Sequence, residues 1–145
     1  MFSGPGVYYI INQASSTAFD LHNGVGEHIV HGWQKLDDQR NQQWRVTADP
    51  QFPDMWILRN MDTGKYLNSS IWNGNGEIRF IGNNIPAYWW LAPQPDKTTA
   101  ICFPDKTDIR VADLHNGSTD NGTVIRLLPW NMGSTQKWKF EKISD

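Results

Sequence analysis

"NQQWRV", residues 41–46, and "TQKWKF", residues 135–140, decide the fold. Each places a glutamine, one spacer and a tryptophan at the head of a short apolar-alternating run. Trp44 and Trp138 stand 94 positions apart. Trp90, in "AYWWLAP", lies 46 after the first and 48 before the second. A period of this length marks chains built from repeated units.

Other features keep the same step. "YIINQASSTAFDL" opens the first segment and "ILRNMDTGKYLNS" the second. Asn12 and Asn60 are 48 apart, as are Asp20 and Asn68, and Asp113 follows Asn68 by 45. The word "DLHNG" occurs at 20 and again at 113. Each segment reads as apolar run, polar turn, apolar run with an acid or amide, glycine-rich loop, third run, and a fourth run carrying tryptophan.

The runs are short, rich in Val, Ile, Tyr, Phe and Trp, and bounded by Gly, Asn, Asp and Pro, which predicts strands. No window sustains the spacing of an amphipathic helix. About four strands per segment, roughly twelve in all, cannot bury a core in one unit alone. They are expected to close around a pseudo-threefold axis as an all-β β-trefoil. The expected organisation is one domain over 1–145, with units at approximately 1–48, 49–95 and 96–145. "PQPDK", at 93–97, is the junction of the last two units. Trp44, Trp90 and Trp138 are assigned to the core.

Composition narrows the function. With 13 Lys+Arg against 15 Asp+Glu, the net charge is −2 and no block of like charge appears. No nucleic-acid partner is expected. The single cysteine, Cys102, permits no internal disulfide and reads as a buried thiol. "MFSGPGVYYI" lacks the basic and apolar regions of a signal peptide, and no run suits a bilayer span. The expectation is a cytoplasmic protein with no membrane insertion. "NSS", "NGS" and "NGT" at 68, 116 and 121 are then loop sequence rather than glycosylation sites. His28 and His31 are three apart, but no cysteine or carboxylate cluster completes a metal site. No nucleophile elbow or phosphate-cradling loop is visible, so neither metal, cofactor nor catalytic residue is expected.

At these residues the chain resembles the ricin-B-type β-trefoil lectins. "QQW" (42–44) and "QKW" (136–138) match the family motif, and "GVYYIIN", "DLHNG" and "HGWQ … NQQW" are most similar to its small mushroom members. The resemblance implies a sugar site per unit, built from an acid after the second strand, an aromatic platform and an Asn-Gln pair before the core tryptophan. In the first unit these are Asp20, Trp33, Asn41 and Gln42, with His31 as a further polar contact and Asn23 in the adjoining loop. In the second, Asn68 replaces the acid, Gly82 lies near the platform position, and Ala87 with Tyr88 replaces Asn-Gln, so the site is expected to be lost. The third retains Asp113 and Gln136 but has Thr135 for the asparagine. Leu128 or Trp130 would be its platform, and Asn116 belongs to the same second candidate site.

The residue types suit a sugar. Galactose and N-acetylgalactosamine expose a continuous apolar face that an indole can cover. A carboxylate can accept from two neighbouring hydroxyls, and an amide both donates and accepts. His31 changes charge near neutrality and would make binding pH-sensitive. The expected function is a non-catalytic lectin for terminal galactose or N-acetylgalactosamine on glycoproteins or glycolipids, with a defence role and a homodimer as one route to avidity. Two other readings compete. One is a β-trefoil protease inhibitor acting through "DPQFPDM" at 49–55. The other is a lectin-like companion subunit of an enzyme, with sugar binding reduced or lost, which an exposed apolar patch around Trp89 or Trp130 would favour.

Overall fold

The computed structural model describes residues 1–23 and 28–145. Twelve strands form in chain order. The first unit holds β1 (Gly6–Asn12), β2 (Ala18–Leu21), β3 (Val30–Trp33) and β4 (Gln43–Ala48). The second holds β5 (Met55–Asn60), β6 (Tyr66–Ile71), β7 (Ile78–Asn83) and β8 (Trp89–Pro93). The third holds β9 (Thr99–Cys102), β10 (Arg110–Leu114), β11 (Thr123–Pro129) and β12 (Trp138–Ser144).

The outer strands of each unit close a six-stranded barrel. Its antiparallel pairs run β1–β4, β4–β5, β5–β8, β8–β9, β9–β12 and β12–β1. The inner strands make three hairpins, β2–β3, β6–β7 and β10–β11. Contacts β3–β11 and β7–β11, with a bridge from Ile29 to Ile81, join these into a cap. The fold is the expected β-trefoil, and closure leaves no unpaired barrel edge.

Trp44, Trp89 and Trp138 fill the core with Tyr8, Phe19, Phe80 and Phe140. Phe19 lies edge-on to Trp138 at 4.7 Å, within the range of favourable T-shaped pairs. Each indole N–H donates to the second strand of its own unit: Trp44 to Phe19 O at 3.1 Å, Trp89 to Leu67 O at 2.9 Å, Trp138 to Ala112 O at 3.1 Å. Those three carbonyls belong to the residues just before Asp20, Asn68 and Asp113. The tryptophans therefore fix the backbone on which the acid-position side chains stand.

The middle core tryptophan is Trp89, not Trp90. β5 and β8 pair Trp56 with Trp89 and Met55 with Trp90, and strand alternation turns Trp89 inward. Trp90 is half-buried on the outer face, beside Ala100, Cys102 and Val111. One shift follows elsewhere: Pro86 and Ala87, rather than Ala87 and Tyr88, occupy the Asn-Gln positions.

Buried Asn12 and Asn60 are also equivalent. Each accepts from the two backbone amides that follow in its turn. Each side-chain amide then reaches another unit's turn, Asn12 to Thr135 O and Asn60 to Asn41 O, both at 3.0 Å. These bonds tie the units together at the turns that carry the candidate site residues.

Two outcomes are expected. Trp89→Ala should lower unfolding free energy by about 3–5 kcal/mol, the usual cost of deleting a buried large aromatic, while Trp90→Ala costs clearly less; urea unfolding compares them. Burial pushes the Cys102 thiol up to about 11. The native protein should therefore resist a thiol-disulfide reagent at pH 8 and react promptly once unfolded.

Candidate functional site

Asp20 is 5% exposed and stands within β2 rather than after it. Its cross-strand partner on β3 is His31. His31 Nε2 lies 2.9 Å from Asp20 Oδ1, and Gln42 Nε2 donates to Asp20 Oδ2 at 2.9 Å. The acid is thus held from both sides, and each oxygen keeps a further lone pair for a ligand.

Gln42 has no exposed surface and ends a short 3-10 turn, Arg40–Gln42. Besides Asp20, its amide donates to Gln34 O at 2.9 Å, and its Oε1 accepts from the Leu36 amide at 2.9 Å. One side chain therefore fastens the 34–36 loop to the acid. Asn41, its neighbour, donates to Leu21 O at 3.3 Å, and its side-chain oxygen accepts from none of the described residues.

The rings form a row. His31 stacks on Trp33 with centroids 5.2 Å apart and planes 28° apart, and His22 leans on His31 at 5.7 Å. Trp33 is half-buried. Asp20, His22, Asn23, His31, Trp33 and Asn41 line a pocket of about 240 Å³, with Leu36 and Gln39 completing its wall. Asn23 is exposed and donates to Asp62 Oδ2 at 2.9 Å. All six predicted first-unit residues are gathered here, five on the wall and Gln42 behind it. His22, Leu36 and Gln39 were missed. His22 sits inside the repeated "DLHNG" word; Leu36, 36% exposed within polar "QKLDDQ", was the other available signal.

The third unit repeats the lock but not the pocket. Gln136, without exposed surface, donates to Asp113 Oδ2 at 2.8 Å and to Pro129 O at 2.9 Å, and accepts from the Asn131 amide at 2.8 Å. Thr135 Oγ1 adds a bond to the same Asp113 oxygen at 3.3 Å. Leu128, opposite Val111, holds the place that Trp33 holds opposite Ala18. Trp130 lies farther along, in an apolar cleft with Trp90, Ala92, Ala100, Cys102 and Val111; Asp113 does not line that cleft. Asn116 is exposed, left-handed at φ 52°, and directs its amide to His115 at 3.4 Å.

The second unit has no lock. Asn68 stands at the acid position, and its amide turns to Asn83 Oδ1 and Ile85 O, both at 3.1 Å. Register places Asn83, not Gly82, at the platform position opposite Tyr66. No 3-10 turn precedes β8, where Ala87 cannot supply the glutamine's three bonds. Among the described residues no group of three or more His, Cys, Asp or Glu side chains could hold a metal ion.

Comparison with known proteins adds to this geometry. A family model described as ricin-type β-trefoil lectin domain-like matches residues 2–78 and 40–128. The Rhizoctonia solani agglutinin is 24% identical, with 99% of each chain covered and a TM-score of 0.84. The Macrolepiota procera ricin B-like lectin, solved in complex with lactose, is 23% identical over 99% of each chain, with a TM-score of 0.83. ThreeFoil, a designed three-fold symmetric protein, is 20% identical over 95% of this chain and 99% of its own, with a TM-score of 0.80. These likenesses establish the fold. No curated protein matches the sequence.

Gln42→Ala should free the Leu36 amide while leaving its third-unit counterpart, the Asn131 amide on Gln136, in place. Hydrogen exchange is the check: Leu36 exchange rises at least tenfold and Asn131 is unchanged.

Proposed function

We propose, because the chain belongs to the family of ricin-type β-trefoil lectin-like domains, that it is a carbohydrate-binding protein whose first unit takes a terminal galactose or N-acetylgalactosamine. The observation that carries this reading is the pocket in which Asp20 and Asn41 offer hydrogen-bonding groups beside the half-buried indole of Trp33. A hydroxylated ring with one apolar face needs acceptors, an amide and a flat hydrophobic wall within one small cavity. The lactose complex of the Macrolepiota lectin supports a galactoside as the ligand class.

Mechanistically, His31 and Gln42 hold the Asp20 carboxylate so that its remaining lone pairs point to fixed places. The sugar then orders few protein groups on binding, which preserves affinity. Trp33, braced by His31, covers the apolar face of the ring and releases its water. This is recognition without catalysis, and a role in defence through binding of foreign glycans fits it. The competing inhibitor reading gains less. The 49–55 turn is drawn back onto the body by Tyr88, whose O–H donates to Asp49 at 2.6 Å and whose ring lies 4.8 Å from Phe52. The companion-subunit reading loses one expected patch, since Trp89 is 2% exposed.

Removing a hydrogen bond to a charged group costs about 1.5–3 kcal/mol, roughly ten- to hundredfold in affinity. A galactoside bound near millimolar strength would then become undetectable. A glycan array should show wild-type binding to terminal galactose or N-acetylgalactosamine and none by Asp20→Ala. No binding by either protein would defeat the proposal. Cross-linking of cells needs two sites per particle. Agglutination should therefore require either a homodimer or a working third unit, and Asp113→Ala in a protein shown to be monomeric should abolish it.

A further inference from the structure

Arg126 stands on β11 directly across from Asp113, the place His31 holds across from Asp20. His31 bonds its acid. The Arg126 side chain makes no hydrogen bond or ion pair with Asp113 or with any other described residue, and its Nε is buried without a partner. A buried guanidinium donor left unpaired is costly and calls for an acceptor.

The surroundings name the sign of that acceptor. Arg126 lines an open pocket of about 200 Å³ with Arg110, Asn75, Glu77 and Leu128. Across the other strand pair it faces Arg79 on β7, which lies over the Trp72 ring at 5.2 Å and offers Arg126 no acceptor. Arg110 gives its Nε–H to Asp108 at 2.9 Å, so that acid is engaged. Among the described residues Glu77 is the one carboxylate on the pocket wall; it accepts from Asn73 at 3.0 Å and pairs with neither Arg110 nor Arg126.

We propose that this pocket, between the second and third units, receives an acidic saccharide, with its carboxylate or sulfate on the Arg126 guanidinium and its ring hydroxyls facing Asn75 and Glu77. The planar fork of arginine matches such oxyanions in two parallel bonds. The cavity approaches the 240 Å³ of the first-unit pocket, which suits one sugar residue rather than a bare ion. The inference rests on the carbohydrate-binding reading and assigns this second pocket a different ligand class from the first-unit pocket.

The test is titration of isotope-labelled protein with galacturonate, galactose and inorganic sulfate, following the Arg126 Nε–H resonance and the Trp33 indole. The two sugars differ only in the charged group at C6. Galacturonate should move the Arg126 signal saturably, at least tenfold more tightly than galactose, and the gain should shrink as salt rises. Arg126→Gln should remove that gain and leave the Trp33 response to galactose intact. An Arg126 signal indifferent to galacturonate overturns the inference, and does so in wild-type protein whether or not the variant folds. Sulfate binding as tightly as galacturonate would also overturn it, by reducing the site to a simple anion site. A Trp33 signal indifferent to both sugars would instead count against the first-unit reading.

Discussion

A glutamine with no exposed surface holds the candidate site in place, and a tryptophan two residues later holds the strand beneath it. Gln42 grips the Asp20 carboxylate and two backbone groups of the 34–36 loop. Trp44 grips the carbonyl of Phe19, immediately before that acid. The same two grips recur at Gln136 and Trp138 on Asp113 and Ala112. A buried amide left unpaired would be costly, so each glutamine keeps its partners and each partner keeps its place. The motif is structural, yet it determines where the acid points.

The three units show what happens as this constraint is kept or dropped. The first keeps both grips and adds the His31–Trp33 stack, which gives an acid, an amide and an indole in one pocket. The third keeps both grips but substitutes Arg126 and Leu128 at the positions of His31 and Trp33, so its chemistry shifts from aromatic to cationic. The second keeps only the tryptophan. Its fold survives because Trp89 still bonds Leu67 O, while Asn68 turns to local partners. Fold and site are separable in this scaffold.

The trefoil was legible because its cause is periodic. Tryptophan, asparagine and acid recur at a near-constant step, and Asn12 and Asn60 prove to be equivalent buried turn residues. The first-unit site was legible because one unit carries the whole set. The phase of "YWW" was not: either adjacent indole could face inward, and only pairing with β5 selects Trp89. The platform residues needed register too, since Asn83 and Leu128 are identified by the residues opposite them. Trp130 was a reasonable platform by type, but Leu128 already occupies the matching rung, two positions nearer Asp113. Arg126 carried no signal of its own until β11 was paired with β10 and β7.

The central claim is that the Asp20–Trp33 pocket takes a galactose-type sugar. A crystal structure of the protein soaked with N-acetylgalactosamine tests it most directly. The account predicts one ring in that pocket, with its apolar face on Trp33 and hydroxyls on Asp20 and Asn41. A sugar bound elsewhere with this pocket empty would contradict it.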